Sequence, residues 1–420
     1  MVVRGAARRA RLWAVRAASL LLLLAGLPLG SPAAAQTPAA LAAPAAPAAT
    51  ATASASACLA PALARLSVGF TMTHFTVAPA ASLVCGGGVQ AGLPVTGAGN
   101  ILLHYQEPGT ALAVRAALRA MAAQGATVLR DLLWYYHTED SLMAARAPHS
   151  PIGLAPATNG RLPDQIIRNL RALIGDARNA GYRRVYVVIG LEGSGAPQCR
   201  KGATGWGQCY DARFLARSWS VARQVIDAVR SPAPGIQVIF DIAPEECYIP
   251  DSPMLVYQNK EQFTRYMVSH YRDTYHDHGY IVSCGAGNGA VARTVASFNG
   301  LVSLFQELGT RPDALDVHDY ADDPAKAEET LRIADAAART LGVPLIVGET
   351  WYDHPNIYGI IEHLMNQGRL SDLRDVIIWP GSDHVACHPD ITLQPPYDMT
   401  AIERRLGLLD ALGRRLPACR

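Results

Sequence analysis

Residues 344–351 read "PLIVGETW". Ile346 and Val347 favour a strand, and the apolar run ends on a single carboxylate, Glu349, with Trp351 two positions further on. A carboxylate in that place is either an incidental surface charge or a placed catalytic group. The neighbouring sequence has to decide which.

The same pattern recurs along the chain. Strand-like runs occur at 100–106 ("NILLHYQ"), 126–136, 183–191, 236–245, 280–285, 314–320, 344–350 and 375–381. Between them lie longer segments of helical periodicity, such as "PDQIIRNLRALIGDARNAG" (163–181) and "PAKAEETLRIADAAARTLG" (324–342). "AIERRLGLLDALGRRL" (401–416) closes the series as an eighth helix. Several of these helices end in glycine just before the next strand, as a C-terminal cap does. Strict alternation of strand and helix predicts a parallel sheet covered by helices. Eight repeats predict an α/β fold of the (β/α)8 TIM-barrel kind with a short N-terminal extension. The first strand–helix junction has no G-x-G-x-x-G run, so the dinucleotide-binding alternative lacks its fingerprint.

Residues 1–35 stand apart. Arg4, Arg8, Arg9, Arg11 and Arg16 precede the short apolar run "AASLLLLLAGLPLG", and "SPAAAQ" offers small residues for cleavage after Ala35. This is the pattern of a secretory signal peptide and predicts a secreted or periplasmic protein. Removing the five leader arginines turns the formal charge of +2 into −3. No basic stripe then points to nucleic acid, and no polybasic tail points to a membrane surface. Residues 36–57, almost all Ala, Pro, Thr and Ser, read as a disordered linker. Residues 58–99 read as a cap segment on a barrel that spans 100–420. The eight cysteines suit an oxidising compartment. Cys199 and Cys209 flank a loop that a disulfide would close, and the absence of any C-x-x-C pair speaks against metal.

In a barrel, chemistry sits at the C-terminal ends of the strands. There the sequence places His104 and Gln106 on the first strand, Arg130, Asp131 and Trp134 on the second, and Asp241, Glu245 and Glu246 on the fourth. Asp316, His318 and Tyr320 follow on the sixth at spacing two, Glu349 and Trp351 on the seventh, and Trp379, Asp383 and His384 on the eighth. Two carboxylates facing each other across a cleft suit glycosidic bond cleavage, one as acid and one as nucleophile or base. Tryptophan faces stack on sugar rings, and His, Arg and Tyr bond hydroxyls and keep a nucleophile ionised.

At these residues the chain resembles the clan of retaining (β/α)8 glycoside hydrolases that carry catalytic glutamates on strands 4 and 7. "IVGETW" resembles the clan's nucleophile segment, which implies that role for Glu349. "DVHDY" is similar to its strand-6 pattern and implies His318 and Tyr320 at the site. "VLRDLLW" implies Arg130, and "IIWPG" implies Trp379. The substrate-binding set expected from the strand ends and the resemblance together is His104, Arg130, Trp134, Asp241, Glu246, His318, Tyr320, Trp351 and Trp379.

One segment departs from the clan. Where Asn-Glu is expected on strand 4, the chain has "DIAPEECY". One register makes Glu245 the acid/base and puts Pro244 in the asparagine's place. The other makes Glu246 the acid/base and puts Glu245 there. Glu245 is preferred because it shares strand parity with Asp241. The missing asparagine also leaves room for a barrel that binds carbohydrate without cleaving it. A metal-dependent hydrolase has two candidate segments, "HDH" (276–278) and "DHVACH" (383–388), but strand 1 lacks a His-x-His pair. No cofactor or metal is expected, and the expected partner is a carbohydrate substrate bound by a monomer.

Overall fold

The structure is a computed structural model. It describes residues 58–72, 84–85, 88–89, 100–140, 144, 153–191, 198–201, 205–208, 210–231, 234–286, 291–352, 354–379 and 397–419. The signal peptide and linker, the Cys199–Cys209 loop closure, and Asp383, His384 and His388 lie outside them.

Eight parallel strands close into a barrel: β1 (Ser67–Met72), β2 (Val128–His137), β3 (Arg184–Leu191), β4 (Gln237–Asp241), β5 (Tyr280–Ala286), β6 (Ala314–Asp319), β7 (Leu345–Trp351) and β8 (Leu373–Trp379). Closure is direct, because β1 pairs with β8 on one side (Gly69 opposite Ile377) and with β2 on the other (Gly69 opposite Val128). Each strand is followed by a helix: α1 (Pro108–Ala123), α2 (Asp164–Ala180), α3 (Ala212–Val229), α4 (Leu255–Tyr275), α5 (Val291–Leu308), α6 (Pro324–Leu341), α7 (Ile357–Asn366) and α8 (Met399–Arg405). Their ends follow from sequence. Gly181 and Gly342 take left-handed conformations that close α2 and α6. Asp211 and Asp323 cap α3 and α6 by accepting backbone N–H groups.

Seven strands fall where the sequence placed them; the first does not. "NILLHYQ" is not a strand. Asn100 accepts the Leu102 N–H at 2.9 Å and starts a short helix, Ile101–His104. An asparagine ahead of a helical turn is an N-cap, and that signal outweighs the apolar run. The barrel instead begins with "SVGFTM" at Ser67, inside the stretch read as a cap. The expected eighth helix is also shorter, because the chain leaves the helix after Arg405 and forms a bridge between Leu409 and Arg415.

Side chains fill the barrel in layers. The lower end is sealed by Asp375, which accepts two bonds from Arg184 (2.6 and 2.8 Å) and one from the Tyr186 hydroxyl. Above it lie Val128, Ile239, Ile281, Ala314, Ile346 and Ile377. The next layer is polar and includes Arg130, Asp241, Ser283 and Asp316, all fully buried. Outside the barrel, Cys58 is joined to Cys419, which ties the start of the described unit to its end.

Asp131 alternates with Arg130 and therefore faces outward. It is fully buried, and neither carboxylate oxygen has a hydrogen-bond partner among the described residues. Burial pushes its pKa up to about 8. The folded chain thus holds this proton at a pH where the unfolded chain, with an ordinary carboxyl near about 4, has lost it. Its contribution to stability is complete below about pH 4 and declines up to about pH 8, by about 1.4 kcal/mol per unit within that window. Asp131→Asn is expected to flatten this part of the stability–pH curve. Urea unfolding between pH 4 and 8 checks it, and an unchanged slope would contradict the assignment.

Candidate active site

The site is built on one buried arginine. Arg130 comes from the inward face of β2 and points to the barrel axis. Its Nη1 donates to Asp316 Oδ2 at 3.0 Å and its Nη2 to Asp241 Oδ2 at 3.1 Å. Nη2 also lies 3.2 Å from Glu349 Oε1. Burial disfavours the guanidinium, but Glu349, Asp316 and Asp241 together hold it firmly charged. Asp241 in turn is pushed up to about 7 by burial, against the pull of Arg130.

Gly348 makes this arrangement possible. A Cβ there would come within 2.2 Å of Asp316 Oδ1 and 2.3 Å of Arg130 Nη1. The Gly348 N–H donates to Asp316 Oδ1 at 2.8 Å, so β7 itself holds the aspartate. The pairing of β7 with β8 slips between Val347 and Thr350, and its pairing with β6 slips so that His318 lies opposite Glu349. Gly348 already faces inward. In regular alternation Glu349 would face the helices, and the irregularity turns it to the axis instead.

His318 joins the two glutamates. Its Nδ1 lies 2.8 Å from Glu245 Oε1 and 3.4 Å from Glu349 Oε2, and its Nε2 lies 3.5 Å from Asp316 Oδ2. Burial and Arg130 oppose a charged imidazole, while the carboxylates of Glu349 and Asp316 pull its pKa upward. The nearest neighbour of Nε2 is Arg130 Nη1 at 3.0 Å, so Nε2 accepts from the guanidinium and Nδ1 carries the proton that faces the glutamates. The Tyr320 hydroxyl donates to Glu349 Oε2. An oxygen of Glu245, an oxygen of Glu349 and a nitrogen of His318 all lie within 4.8 Å of one another.

The two glutamates differ in setting. The Glu349 side chain is 9% exposed and that of Glu245 is 51% exposed. Burial raises the Glu349 pKa, with His318 and Arg130 opposing. For Glu245 burial also acts upward, but the hydrogen bond and charge of His318, helped by Lys260 and Arg130, bring it down to about 2. Glu245 lies beyond the end of β4, in a turn, with a left-handed φ of 57°. Its place beside His318 therefore comes from that turn and not from the strand parity that favoured it in the sequence. Pro244 packs into the space left by Gly190, where a Cβ would come within 2.7 Å of the proline ring.

Of the other expected residues, Trp379 is buried beside Leu132 and Val188, with Trp134, Tyr320 and Trp351 packed on that group. The Tyr320 and Trp351 rings lie 4.7 Å apart. Two residues are not brought into the cluster. His104 sits on the short helix before α1, bonded to Glu107 at 2.7 Å. Glu246 has Lys260 and Tyr210 as its electrostatic neighbours besides Glu245, and burial raises its pKa. Sequence reasoning left Asp316 out of the binding set, although its spacing of two from His318 placed it on the same face. It gave no sign of Gly348 or Ser283.

Two groups of side chains have metal-ligand spacing: Asp241, Asp316 and His318, and Glu245, His318 and Glu349. They fit a cation poorly, because Arg130 already bonds both aspartates and lies 3.0 Å from His318 Nε2. In "HDH", His276 ends α4 in a left-handed conformation, Asp277 accepts from Tyr271, and His278 bonds the Arg311 carbonyl.

No family model matches this chain, and no curated protein does. Among solved structures it is similar to an exo-β-1,4-mannosidase from Opitutaceae bacterium strain TAV5, with 15% identity and a TM-score of 0.45 over 83% of this chain. The chain spans 57% of that mannosidase's length. It is also similar to a modular endo-β-1,4-mannanase from Cellulomonas fimi, with 14% identity and a TM-score of 0.44, over 84% of this chain and 75% of that one. A β-mannanase from the blue mussel Mytilus edulis matches at 15% identity with a TM-score of 0.44, over 73% of this chain and 86% of that one.

Gly348→Ala tests the design of the polar layer. The added methyl is expected to break the Arg130–Asp316 pair and to cost about 3 kcal/mol of stability. Denaturant unfolding of the variant measures this, and a loss below about 0.5 kcal/mol would show that the layer accommodates a side chain.

Proposed function

We propose that the protein is an exported retaining glycoside hydrolase acting on a poly- or oligosaccharide. One observation carries this reading. Two glutamates, one on β7 and one in the turn after β4, converge on one imidazole nitrogen, with a carboxylate oxygen of each within 4.8 Å of the other. That spacing supports retention, which uses carboxyl groups about 5–5.5 Å apart, over inversion, which needs room for a water between them.

Glu349 is the nucleophile in this reading. Arg130, Tyr320 and His318 surround it and oppose the effect of burial on its charge. Its oxygen attacks the anomeric carbon as the glycosidic oxygen leaves, forming a glycosyl ester. Glu245 gives the leaving oxygen its proton, then takes one from the water that hydrolyses the ester. Its ionised resting state suits the second step directly. For the first, Glu245 has to gain a proton as substrate binds. A sugar seated over the half-exposed Glu245 removes water from the carboxylate, which raises its pKa and lets it take up that proton from solvent. Trp134, Trp351 and Trp379 supply apolar faces for the sugar rings.

Glu349→Gln and Glu245→Gln are each expected to lower sugar release from a polysaccharide panel by about a thousand-fold with folding intact. Proton NMR of the first-formed product is expected to show the anomer of the substrate. Unchanged turnover in Glu349→Gln would overturn the nucleophile assignment. Glycan binding without sugar release by the unaltered protein would favour a binding barrel.

A further inference from the structure

Glu245 holds a left-handed conformation that a non-glycine residue adopts only when its surroundings impose it. Three consecutive residues of β5, Ser283, Cys284 and Gly285, do much of the imposing. Ser283 Oγ accepts the Glu245 N–H at 2.9 Å. Cys284 forms a disulfide with Cys247, two residues after Glu245, with a Cα–Cα distance of 5.1 Å. Gly285 leaves room for the carboxylate, since a Cβ there would stand 3.1 Å from Glu245 Oε1. From the other side, α4 holds the same turn, with Lys260 Nζ donating to the Glu245 carbonyl and Thr264 Oγ1 to the Glu246 carbonyl at 2.9 Å. The disulfide is the one covalent link in this set. It joins the turn to a rigid barrel strand, and both cysteines are buried.

We propose that Cys247 and Cys284 are positioning residues for proton transfer: their disulfide sets the Glu245 carboxylate against His318, so the full activity belongs to the oxidised chain. This rests on reading Glu245 as the acid/base. Without the link, the turn from Pro244 to Tyr248 relaxes from its left-handed conformation and the Glu245–His318 contact loosens. Binding of the sugar and attack by Glu349 do not depend on that contact.

The test compares two substrates of one sugar: the natural glycan, whose leaving oxygen needs a proton, and its 2,4-dinitrophenyl glycoside, whose leaving group needs none. The variant is Cys247→Ala with Cys284→Ala. Expected is a fall in kcat/KM, which reports ester formation alone, of about 10–100-fold on the glycan and of less than about three-fold on the dinitrophenyl glycoside. A ¹³C-glutamate NMR titration, with Glu245→Gln for assignment, is expected to show Glu245 titrating about one unit or more higher in the variant. Cys58→Ala with Cys419→Ala is the control for stability. It removes a cross-link spanning 361 residues and is expected to lower the unfolding midpoint without changing the substrate ratio. An equal loss of kcat/KM on both substrates, or no loss together with an unchanged titration, overturns the proposal. If Glu245→Gln itself spares the glycan, the acid/base reading fails, and the proposal with it.

Discussion

The guanidinium of Arg130 sets the terms for the upper half of this barrel. A charge taken out of water is unfavourable by several kcal/mol unless it is paired and hydrogen-bonded. Asp241 from β4, Asp316 from β6 and Glu349 from β7 supply that pairing. Each partner comes from a different strand, so strand register and ion pairing specify each other. A slip of one residue in β6 or β7 would turn an aspartate or a glutamate away from the axis and leave the arginine unpaired. Gly348 belongs to the same constraint, because the guanidinium and Asp316 fill the space its side chain would take.

Reactivity follows from how unevenly this charge is shared. Glu349 lies against the arginine, is nearly closed to solvent, and has Tyr320 and His318 on its other oxygen. Glu245 is further from Arg130, half-exposed, and answers mainly to His318. Two carboxyl groups that share one imidazole are therefore driven apart in pKa by their settings, one upward by burial and one downward by its bond to His318. The proposed nucleophile is thus the raised group and the proposed acid the lowered one, so the acid step of the proposed function needs substrate binding to raise Glu245. His318 couples them, since a change in charge on either glutamate is felt at the ring nitrogen that both touch.

Much of the fold was legible because parallel strands buried on both faces read as compact apolar runs between helices with glycine ends. The first strand failed that test. "SVGFTM" carries a glycine and two polar residues, and the glycine is there because β2 passes too close for a side chain: a Cβ on Gly69 would come within 2.4 Å of the Val128 carbonyl. "NILLHYQ" looked more strand-like, yet its asparagine is a helix cap. The site was legible in composition and less so in geometry. Alternation alone would have sent Glu349 outward, and only the slipped register of β7 turns it in. Glu245 was preferred by a parity argument that does not apply, because β4 ends at Asp241. What places Glu245 is a turn held by β5 and α4, and long-range contacts of that kind leave no periodic trace in a sequence. His104 followed from the misplaced first strand.

The two ends of the barrel interior show which one is built to react. At the lower end Asp375 is saturated by Arg184, Tyr186 and Arg374, and Arg374 is paired with Asp313 as well. Every charge there has a protein partner, and the result is a plug. The upper end uses the same residue types but leaves them unfinished. Glu245 keeps half of its side chain exposed, and Trp134 Nε1 has no hydrogen-bond partner among the described residues. Buried donors and acceptors without partners are unfavourable by about 1–3 kcal/mol each, and a fold that needed only stability would pair or replace them. The lower network shows that this barrel can pair such groups completely. In the proposed function the open Glu245 and the Trp134 N–H meet the hydroxyls of a sugar ring, and Trp351 and Trp379 meet its apolar face.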